Sequence, residues 1–385
     1  MQKISALFVN YNSWRECCDA IRTLRTSTEA AGLDLELIVV DNASPLGSPA
    51  LQEELEGLCA ESGGAFIAAH RNLGYGAGMN LALRRATGDL MLVSNPDVLY
   101  PEDCLGRLVG ALETHRDVGI AAPASYWDTD LTCQYPINLL PSVGEEVRLL
   151  LAHLNLRALR RYVRGRTRAS IAYWLEEGDR EVDMVSGCCF LMRRELAEKM
   201  GPFDESFPMY FEDADLCHRV RRAGYRLIQP AGAAVVHLFD RSARSDRGLA
   251  MERYWVSYRH YFRKHHGILA AKFTSWKQSL LESGRVWTKG FGPLDDVELE
   301  DGRPVLRPHR PGERFLVEHC PDPCFFLAAA VIGEGERWTP SNALFERYEQ
   351  TVYFRIVPLE GPDDDPRVHV YRPDESDRKD AAAGP

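Results

Sequence analysis

Residues 90–100 read LMLVSNPDVLY. The apolar residues 90–93 are contiguous, not alternating, which marks a strand covered on both faces, as parallel strands are. The run stops at Ser94-Asn95-Pro96-Asp97, with one carboxylate held beside a proline that stiffens the turn and removes a backbone donor. Upstream, further apolar runs at 4–9, 35–40 and 65–69 are separated by helical patterns at 13–32, 49–60 and 77–87. Ser13 and Glu16 have the spacing of a capping box at the start of the first helix, and Gly32 stands where it would end. Downstream, a helix over 102–115 and a strand over 119–123 continue the alternation. Repeated strand and helix predict an open, doubly wound, mostly parallel α/β sheet. Such sheets bind ligands outside the carboxyl ends of their strands. Three polar clusters fall there: Asn10-Tyr11-Asn12, Asp41-Asn42 and Asn95-Pro96-Asp97.

The 385 residues are 45 % hydrophobic and 26 % charged, with a formal net charge of -10. That acidic balance opposes nucleic-acid binding, which needs a basic surplus. No apolar run approaches the length of a membrane-spanning helix. Met1-Gln2-Lys3 leads directly into the first strand, leaving no room for a signal peptide, so the expected location is cytoplasmic. Ten cysteines lack the pair spacing of a zinc site and read as buried thiols of a reducing compartment.

Beyond residue 125 the pattern loosens. A helical stretch over 147–163 is laced with Arg148, Arg157, Arg160, Arg161 and Arg164. A basic amphipathic helix suits an anionic acceptor or peripheral contact at the inner face of a membrane. The plainer alternative is a core helix with a solvated basic edge. Alternation resumes over 181–192, followed by an acidic helix over 208–222, short strands at 226–229 and 233–237, and an aromatic, basic helix over 248–266. After residue 284 the runs are short and β-rich, at 315–319, 324–332, 351–358 and 367–371. The expected organisation is therefore a domain over 1–284, with halves 1–125 and 126–284. A β-rich accessory domain over 285–372 and a disordered tail over 373–385 follow.

A carboxylate at a strand end in a nucleotide-type crevice, such as Asp97, suits a divalent cation that bridges it to phosphate. Equally, Asn-Pro-Asp forms a turn unaided. Glu212, Asp213 and Asp215 open a helix behind Met209-Tyr210-Phe211. Glu212 and Asp215, three apart, share a face, while Asp213 points elsewhere, so one carboxylate can face the crevice while others cap and orient. His237 ends an apolar run, where it is either a hydrogen-bonded core residue or a further metal ligand. Arg241 and Arg244 could meet a diphosphate or lie in a solvated loop. The glycines of 72–80 do not make a dinucleotide fingerprint, because Met79 stands in place of the third glycine. Asp41 could accept a base N–H or cap its own turn.

Together these residues resemble family 2 inverting glycosyltransferases with the GT-A fold, in the branch described as rhamnosyltransferase-like. The matching pieces are FVNYN at 8–12, VVDNAS at 39–44, RNLGYGAGMN at 71–80, NPD at 95–97, SGCCFLMRRE at 186–195, FEDADLCHRVRRAGY at 211–225 and VVH at 235–237. They run in order over about residues 3 to 266. The resemblance implies a nucleotide site made by Asn10, Tyr11, Asn12, Asp41, Asn42, Asn72, Gly74, Asn80 and Asn95. Asp97 and His237 would hold Mn2+ or Mg2+, although the first acid of the family's metal motif is Asn95 here. Asp213 falls at the catalytic base, with Gly187 and Glu212 orienting the acceptor.

The implied reaction moves a sugar, L-rhamnose being the branch's example, from a dTDP or UDP donor to a hydroxyl of a glycan or lipid-linked acceptor, with inversion. A nucleotidyltransferase would carry a basic triphosphate loop where Asn10-Tyr11-Asn12 stands. A non-catalytic, sugar-nucleotide-binding or scaffolding relative is the alternative from a different class. Donor sugar, acceptor, oligomeric state and the role of the β-rich segment are not legible in the sequence.

Overall fold

The structure is a computed structural model that describes residues 2–201, 203–238, 247–283, 290–360 and 367–373. Contacts divide the chain into two compact units: Met1–Ser125 with Asn138–Val143 and Glu176–Ser275, and Tyr126–Ile137 with Gly144–Leu175 and Trp276–Pro385.

The first unit opens with β1 (Lys3–Asn10), α1 (Trp14–Ala30), β2 (Asp34–Asp41), α2 (Pro49–Glu61), β3 (Ala65–Ala68) and α3 (Tyr75–Leu83). β4 (Leu90–Ser94), β5 (Val98–Leu99), α4 (Cys104–Thr114), β6 (Val118–Ala121) and β7 (Ala124–Tyr126) follow. Helices α5 (Val143–Ala152) and α6 (Leu156–Trp174) come next in the chain. The first unit resumes with β8 (Arg180–Val182), β9 (Cys189–Arg193), α7 (Arg194–Met200), α8 (Glu212–Arg222), β10 (Arg226–Gln229), β11 (Ala234–His237) and α9 (Arg247–His266), and α10 (Ile268–Glu282) runs on from it.

Eight strands form one sheet in the order β3-β2-β1-β4-β9-β6-β10-β8. β3, β2, β1 and β4 pair in parallel, whereas β9 runs antiparallel between β4 and β6. Side-chain alternation explains the double winding. Ile4, Ala6 and Phe8 of β1 point into a core with Cys17, Ile21 and Leu24 of α1 and Leu105 and Leu108 of α4. Val9 points to the opposite face, against α3. Each fully buried side chain of this size contributes roughly 1.5–3 kcal/mol. All ten cysteines are free, and all but Cys324 are buried.

Local details depart from the sequence reading. Ser13 makes no side-chain cap; its backbone N–H donates to Asn10 Oδ1 at 3.1 Å instead, so the capping box does not form. α3 begins at Tyr75, ahead of the expected residue 77, and ends at Leu83. The basic stretch 147–163 is not one helix. α5 ends at Ala152, and Asn155 starts α6 anew by accepting from the Ala158 N–H at 3.0 Å.

In the second unit, β12 (Leu294–Asp296), β15 (Arg314–Cys320), β16 (Ala329–Glu334), β17 (Val352–Pro358) and β18 (Val368–Tyr371) form a sheet in the order β12-β18-β17-β15-β16. β13 (Glu298–Glu300) and β14 (Arg303–Val305) form a separate hairpin, and α11 (Asn342–Phe345) precedes β17. α6 clusters with these strands for a specific reason. Arg355 of β17 is fully buried, donates from Nε to Glu318 Oε2 at 2.7 Å and from Nη2 to Thr167 Oγ1 at 2.7 Å. Thr167 of α6 donates to Glu318 Oε1 at 2.7 Å, closing the network. Removing one member would strand a buried charge, at a cost of about 3–5 kcal/mol. Residues 144–175, which the sequence reading grouped with the first domain, thus pack with the C-terminal strands. The tail from 374 onward lies outside the described residues.

Candidate active site

The carboxyl ends of β1 and β2 lie side by side, with Asn10 in register with Asp41. Asn10 Nδ2 donates to Asp41 Oδ1 at 3.0 Å, and the Ser44 hydroxyl donates to the same oxygen at 2.5 Å. The Ser44 backbone N–H reaches Asp41 Oδ2 at 3.2 Å, and the Asn12 N–H donates to Ser44 Oγ at 2.9 Å. Asn12 sits in the left-handed region at φ 58°, a conformation asparagine tolerates, and its Oδ1 accepts from the Leu46 N–H at 3.0 Å. Asp41 is therefore a buried carboxylate fixed from three sides, and Tyr11 lies half-buried beside it.

A second asparagine pair extends this edge. Asn42 Nδ2 donates to Asn72 Oδ1 at 3.2 Å, and Asn42 Oδ1 accepts from the Leu73 N–H at 2.8 Å. Gly74, at φ 85° and ψ 165°, caps α3, and a Cβ there would stand 3.1 Å from the Pro208 carbonyl. Asn80 is placed differently. Its amide donates to Phe203 O at 2.8 Å and Glu205 Oε1 at 2.9 Å and accepts from the Phe203 N–H, so its side chain is spent on anchoring 203–205.

Past the end of β4, Asn95 donates its backbone N–H to Cys188 O at 2.7 Å, and its side chain makes no hydrogen bond among the described residues. Asp97 is 4 % exposed, and its Oδ1 lies 3.4 Å from His237 Nε2 at the end of β11. The backbones agree with that pairing: His237 is in register with Val98, and the Leu238 N–H donates to Asp97 O at 3.0 Å. Burial would lower the imidazole pKa, but Cys188 and Asp97 outweigh it and raise it to about 10. Burial would likewise raise the Cys188 thiol, and the charge on His237 brings it down below its ordinary value. Asp97 and Cys188 together thus pair with the His237 imidazole. Arg241 and Arg244 lie outside the described residues.

One residue before Cys188, the Gly187 N–H donates to Asp213 Oδ2 at 2.8 Å. The Ala214 N–H donates to Asp213 Oδ1 at 2.7 Å, and the Tyr75 hydroxyl donates to Gly187 O at 3.0 Å. A Cβ on residue 187 would come 3.1 Å from Asp213 Cβ and 3.2 Å from Oδ2, so any larger residue would push the carboxylate by a few tenths of an ångström. Burial raises the Asp213 pKa against these two backbone donors. Glu212 is buried with Oε2 unpartnered among the described residues, and burial followed by the Asp213 charge raises its pKa to about 8. Asp215 faces inward, bound to Arg219 at 2.8 Å, Lys264 at 2.6 Å and His265 at 2.7 Å. Ahead of this helix, Tyr210 and Phe211 have φ 66° and 67°. Two consecutive bulky left-handed residues cost about 1–3 kcal/mol each and are typical of functional turns.

Asn10, Asp41, Asn42 and Asn72 thus form one cluster beyond β1 and β2, and Gly187-Cys188 joins Asp213 to the Asp97–His237 pair. One residue holds Asp213; the next touches His237. Residues 5–201 match the model of glycosyl transferase family 2, just over half of the chain. The chain belongs to this family. It is an enzyme of glycosyltransferase type. It is 27 % identical over 231 residues to the N-acetylglucosaminyl-diphospho-decaprenol L-rhamnosyltransferase of Mycobacterium tuberculosis, covering 56 % of this chain and 70 % of that protein. It is 25 % identical over 227 residues to rhamnosyltransferase WbbL of Escherichia coli, covering 59 % and 81 %. A solved mannosyltransferase from Pyrobaculum calidifontis, in complex with GDP-Man and Mn2+, aligns with TM-score 0.43 and 16 % identity over 72 % of this chain and 80 % of that one.

Three residues of this candidate site are not singled out in the sequence reading. Ser44 lies inside VVDNAS, Cys188 counts among the buried thiols, and Tyr75 lies ahead of the helix expected from residue 77. Cys188 had a signal available: it adjoins the glycine of SGCC. The left-handed Tyr210-Phe211 turn had none, since neither residue type favours that conformation.

Proposed function

We propose that this glycosyltransferase transfers a sugar from a pyrimidine nucleoside diphosphate to a hydroxyl of a glycan or lipid-linked acceptor, with inversion. L-rhamnose is the sugar suggested by the relatives named rhamnosyltransferases. The observation that supports the reading is the junction at Gly187-Cys188: the Gly187 N–H donates to the Asp213 carboxylate, and Cys188 touches His237 of the Asp97–His237 pair.

Asp41 would accept the ring N–H of the base, with Asn10 and Ser44 fixing its carboxylate in place. Asn12, Tyr11, Asn42, Asn72 and Gly74 would line the donor, while Asn80 supports the loop over it. Asp97 Oδ1 and His237 Nε2 lie 3.4 Å apart. Among the described residues no group of three or more His, Cys, Asp or Glu surrounds a single point. Once its imidazole has given up its proton, His237 with the Asp97 carboxylate fits Mn2+ or Mg2+ that takes its remaining ligands from diphosphate and water. Bound there, the cation would neutralise charge on the departing diphosphate. Asp213 would take the proton of the acceptor hydroxyl as it attacks the anomeric carbon from the face opposite the leaving group. Glu212, buried behind it, would keep the local field negative only at high pH and otherwise stay neutral.

The decisive experiment is a binding panel of UDP, dTDP, GDP and their common sugar conjugates, with and without Mn2+ or Mg2+. One pyrimidine diphosphate should bind in a metal-dependent way, and Asp97→Ala should remove the metal dependence. Binding of none by folded protein would overturn the donor assignment.

A further inference from the structure

Helices α9 and α10 carry a surface that the nucleotide site does not use. One face of α9 is committed inward: Tyr254, Tyr258 and Tyr261 pack their rings on Phe211, next to Glu212. The opposite face holds Val256, Arg259 and Arg263, spaced three and four apart. Arg259 and Arg263 line a cleft of about 460 Å³ with His260, Ile268 and Lys272, and its lining contains no acidic residue. Arg263 and Lys272 are exposed and make no ion pair among the described residues. Around them the apolar side chains point outward as well. Ile268 is 58 % exposed, Leu269 79 % and Val256 42 %.

Isolated exposed aliphatics are ordinary, but here they surround a group of cations on a protein whose net charge is -10. Net charge would repel an anionic surface. At about 0.1 M salt, however, the Debye length is about 10 Å, so a local cluster decides the encounter. Basic side chains that ring exposed aliphatics match a bilayer interface, with cations at headgroup phosphates and aliphatic tips among the acyl chains. We propose that the α9–α10 face docks this protein peripherally on an anionic lipid bilayer. No helix among the described residues is long and apolar enough to cross a membrane, so such contact would be interfacial. Vesicle binding would need neither donor nor metal, so the docking face is tested independently of the proposed donor site. Helix α9 would then connect the bilayer to the Phe211 turn, a suitable place for a catalytic centre whose acceptor is lipid-linked.

Co-sedimentation with phosphatidylcholine vesicles, with and without phosphatidylglycerol, tests this directly. The protein should sediment with the anionic vesicles and not with the neutral ones. Each cation near such a surface is worth about fivefold in affinity, so Arg263→Gln with Lys272→Gln should weaken binding on the order of 25-fold. Ile268→Ser with Leu269→Ser should weaken it about tenfold or more. Thermal melts of both variants should match the parent, since these side chains are exposed, and binding of UDP or dTDP should be unchanged. Equal binding to neutral vesicles would overturn the proposal. So would full retention by the Arg263/Lys272 variant, or loss only on Arg157→Gln with Arg161→Gln in α6. If inorganic phosphate binds the cleft and no vesicle does, the cleft is a small-anion site and the docking face is wrong.

Discussion

The two ends of the first turn of α8 treat buried acids in opposite ways. Glu212, at the crevice end, has a carboxylate oxygen unpartnered among the described residues and a pKa raised to about 8. Asp215, three residues on and facing α9, is more deeply buried yet held well below the ordinary carboxylate range. Burial would raise Asp215 too, but His265, Lys264 and Arg219 donate to it and outweigh that. Burial alone therefore does not decide the protonation of a carboxylate; its partners do. Between the two, Asp213 is half-buried and points at Gly187, raised by burial but kept ionisable by two backbone donors. One helical turn thus separates a paired anchor from the carboxylate proposed as the base, by which face each residue occupies.

The strongest way to break that division is Asp213→Asn. If Asp213 is the base, turnover should fall on the order of 10²–10⁴-fold while the nucleotide diphosphate still binds. Steady-state transfer and calorimetric binding measured on the same preparation separate these effects. Survival of transfer would move the base assignment elsewhere, with Glu212 the first candidate.

Asp215→Ala should act on stability instead. It leaves Lys264, His265 and Arg219 facing one another without their carboxylate, which costs about 3–5 kcal/mol when a buried pair is broken. Urea unfolding at pH 7 reads this. The depressed pKa gives the same sign: the stabilisation is present above the ordinary value of 3.8 and is lost as pH falls through the folded value. A loss of less than about 1 kcal/mol would mean that these partners do not hold the residue.

Glu212→Gln sharpens the contrast. Because the folded pKa is raised from 4.5 to about 8, folded protein keeps a proton that the unfolded chain has released. The favourable contribution is complete below 4.5 and declines as pH rises toward about 8, by at most about 1.4 kcal/mol per pH unit. The neutral glutamine should match the parent near pH 5 and melt at a higher temperature above pH 8. Parallel melting curves from pH 5 to 9 would show that Glu212 is ionised throughout.

The sheet and its edge were legible because contiguous apolar runs, capped by Asn and Asp, repeat at regular spacing. Asn10, Asp41 and Asp97 fall at strand ends by that pattern alone. The α8 face was legible as well, since a 3.6-residue period separates Asp213 from Glu212 and Asp215. What the pattern could not carry was long-range pairing. The antiparallel insertion of β9, which delivers Gly187 and Cys188 to the site, depends on strand order that local sequence does not encode. The break at 153–155 was hidden because leucine and arginine populate both flanking helices, and Asn155 acts as a cap only once the turn exists. The grouping of 144–175 with the C-terminal strands rests on long-range contacts, the Arg355–Thr167 bond across 188 residues and the packing of Leu159 and Val163 with Phe291, Phe325 and Val368 among them.

That dependence on β9 suggests the subtlest test of the division within α8. Gly187→Ala adds a single methyl at 3.1 Å from Asp213 Cβ and 3.2 Å from its carboxylate oxygen, tighter than ordinary contact. The backbone at Gly187 has no unusual φ requirement, so the change strains the carboxylate and not the strand. Asp213 should turn away by a few tenths of an ångström and lengthen its 2.8 Å hydrogen bond to the residue 187 N–H. Misplacement of a base on that scale should lower kcat about tenfold, with nucleotide affinity unchanged. Stability should drop by only about 1–2 kcal/mol, the cost of mild overpacking. The anchor is out of reach of this methyl, so the pH dependence set by Asp215 should stay as in the parent. If kcat holds while stability falls further, Gly187 serves packing alone, and the bridge between the base and the Cys188–His237–Asp97 pocket is not what positions the chemistry.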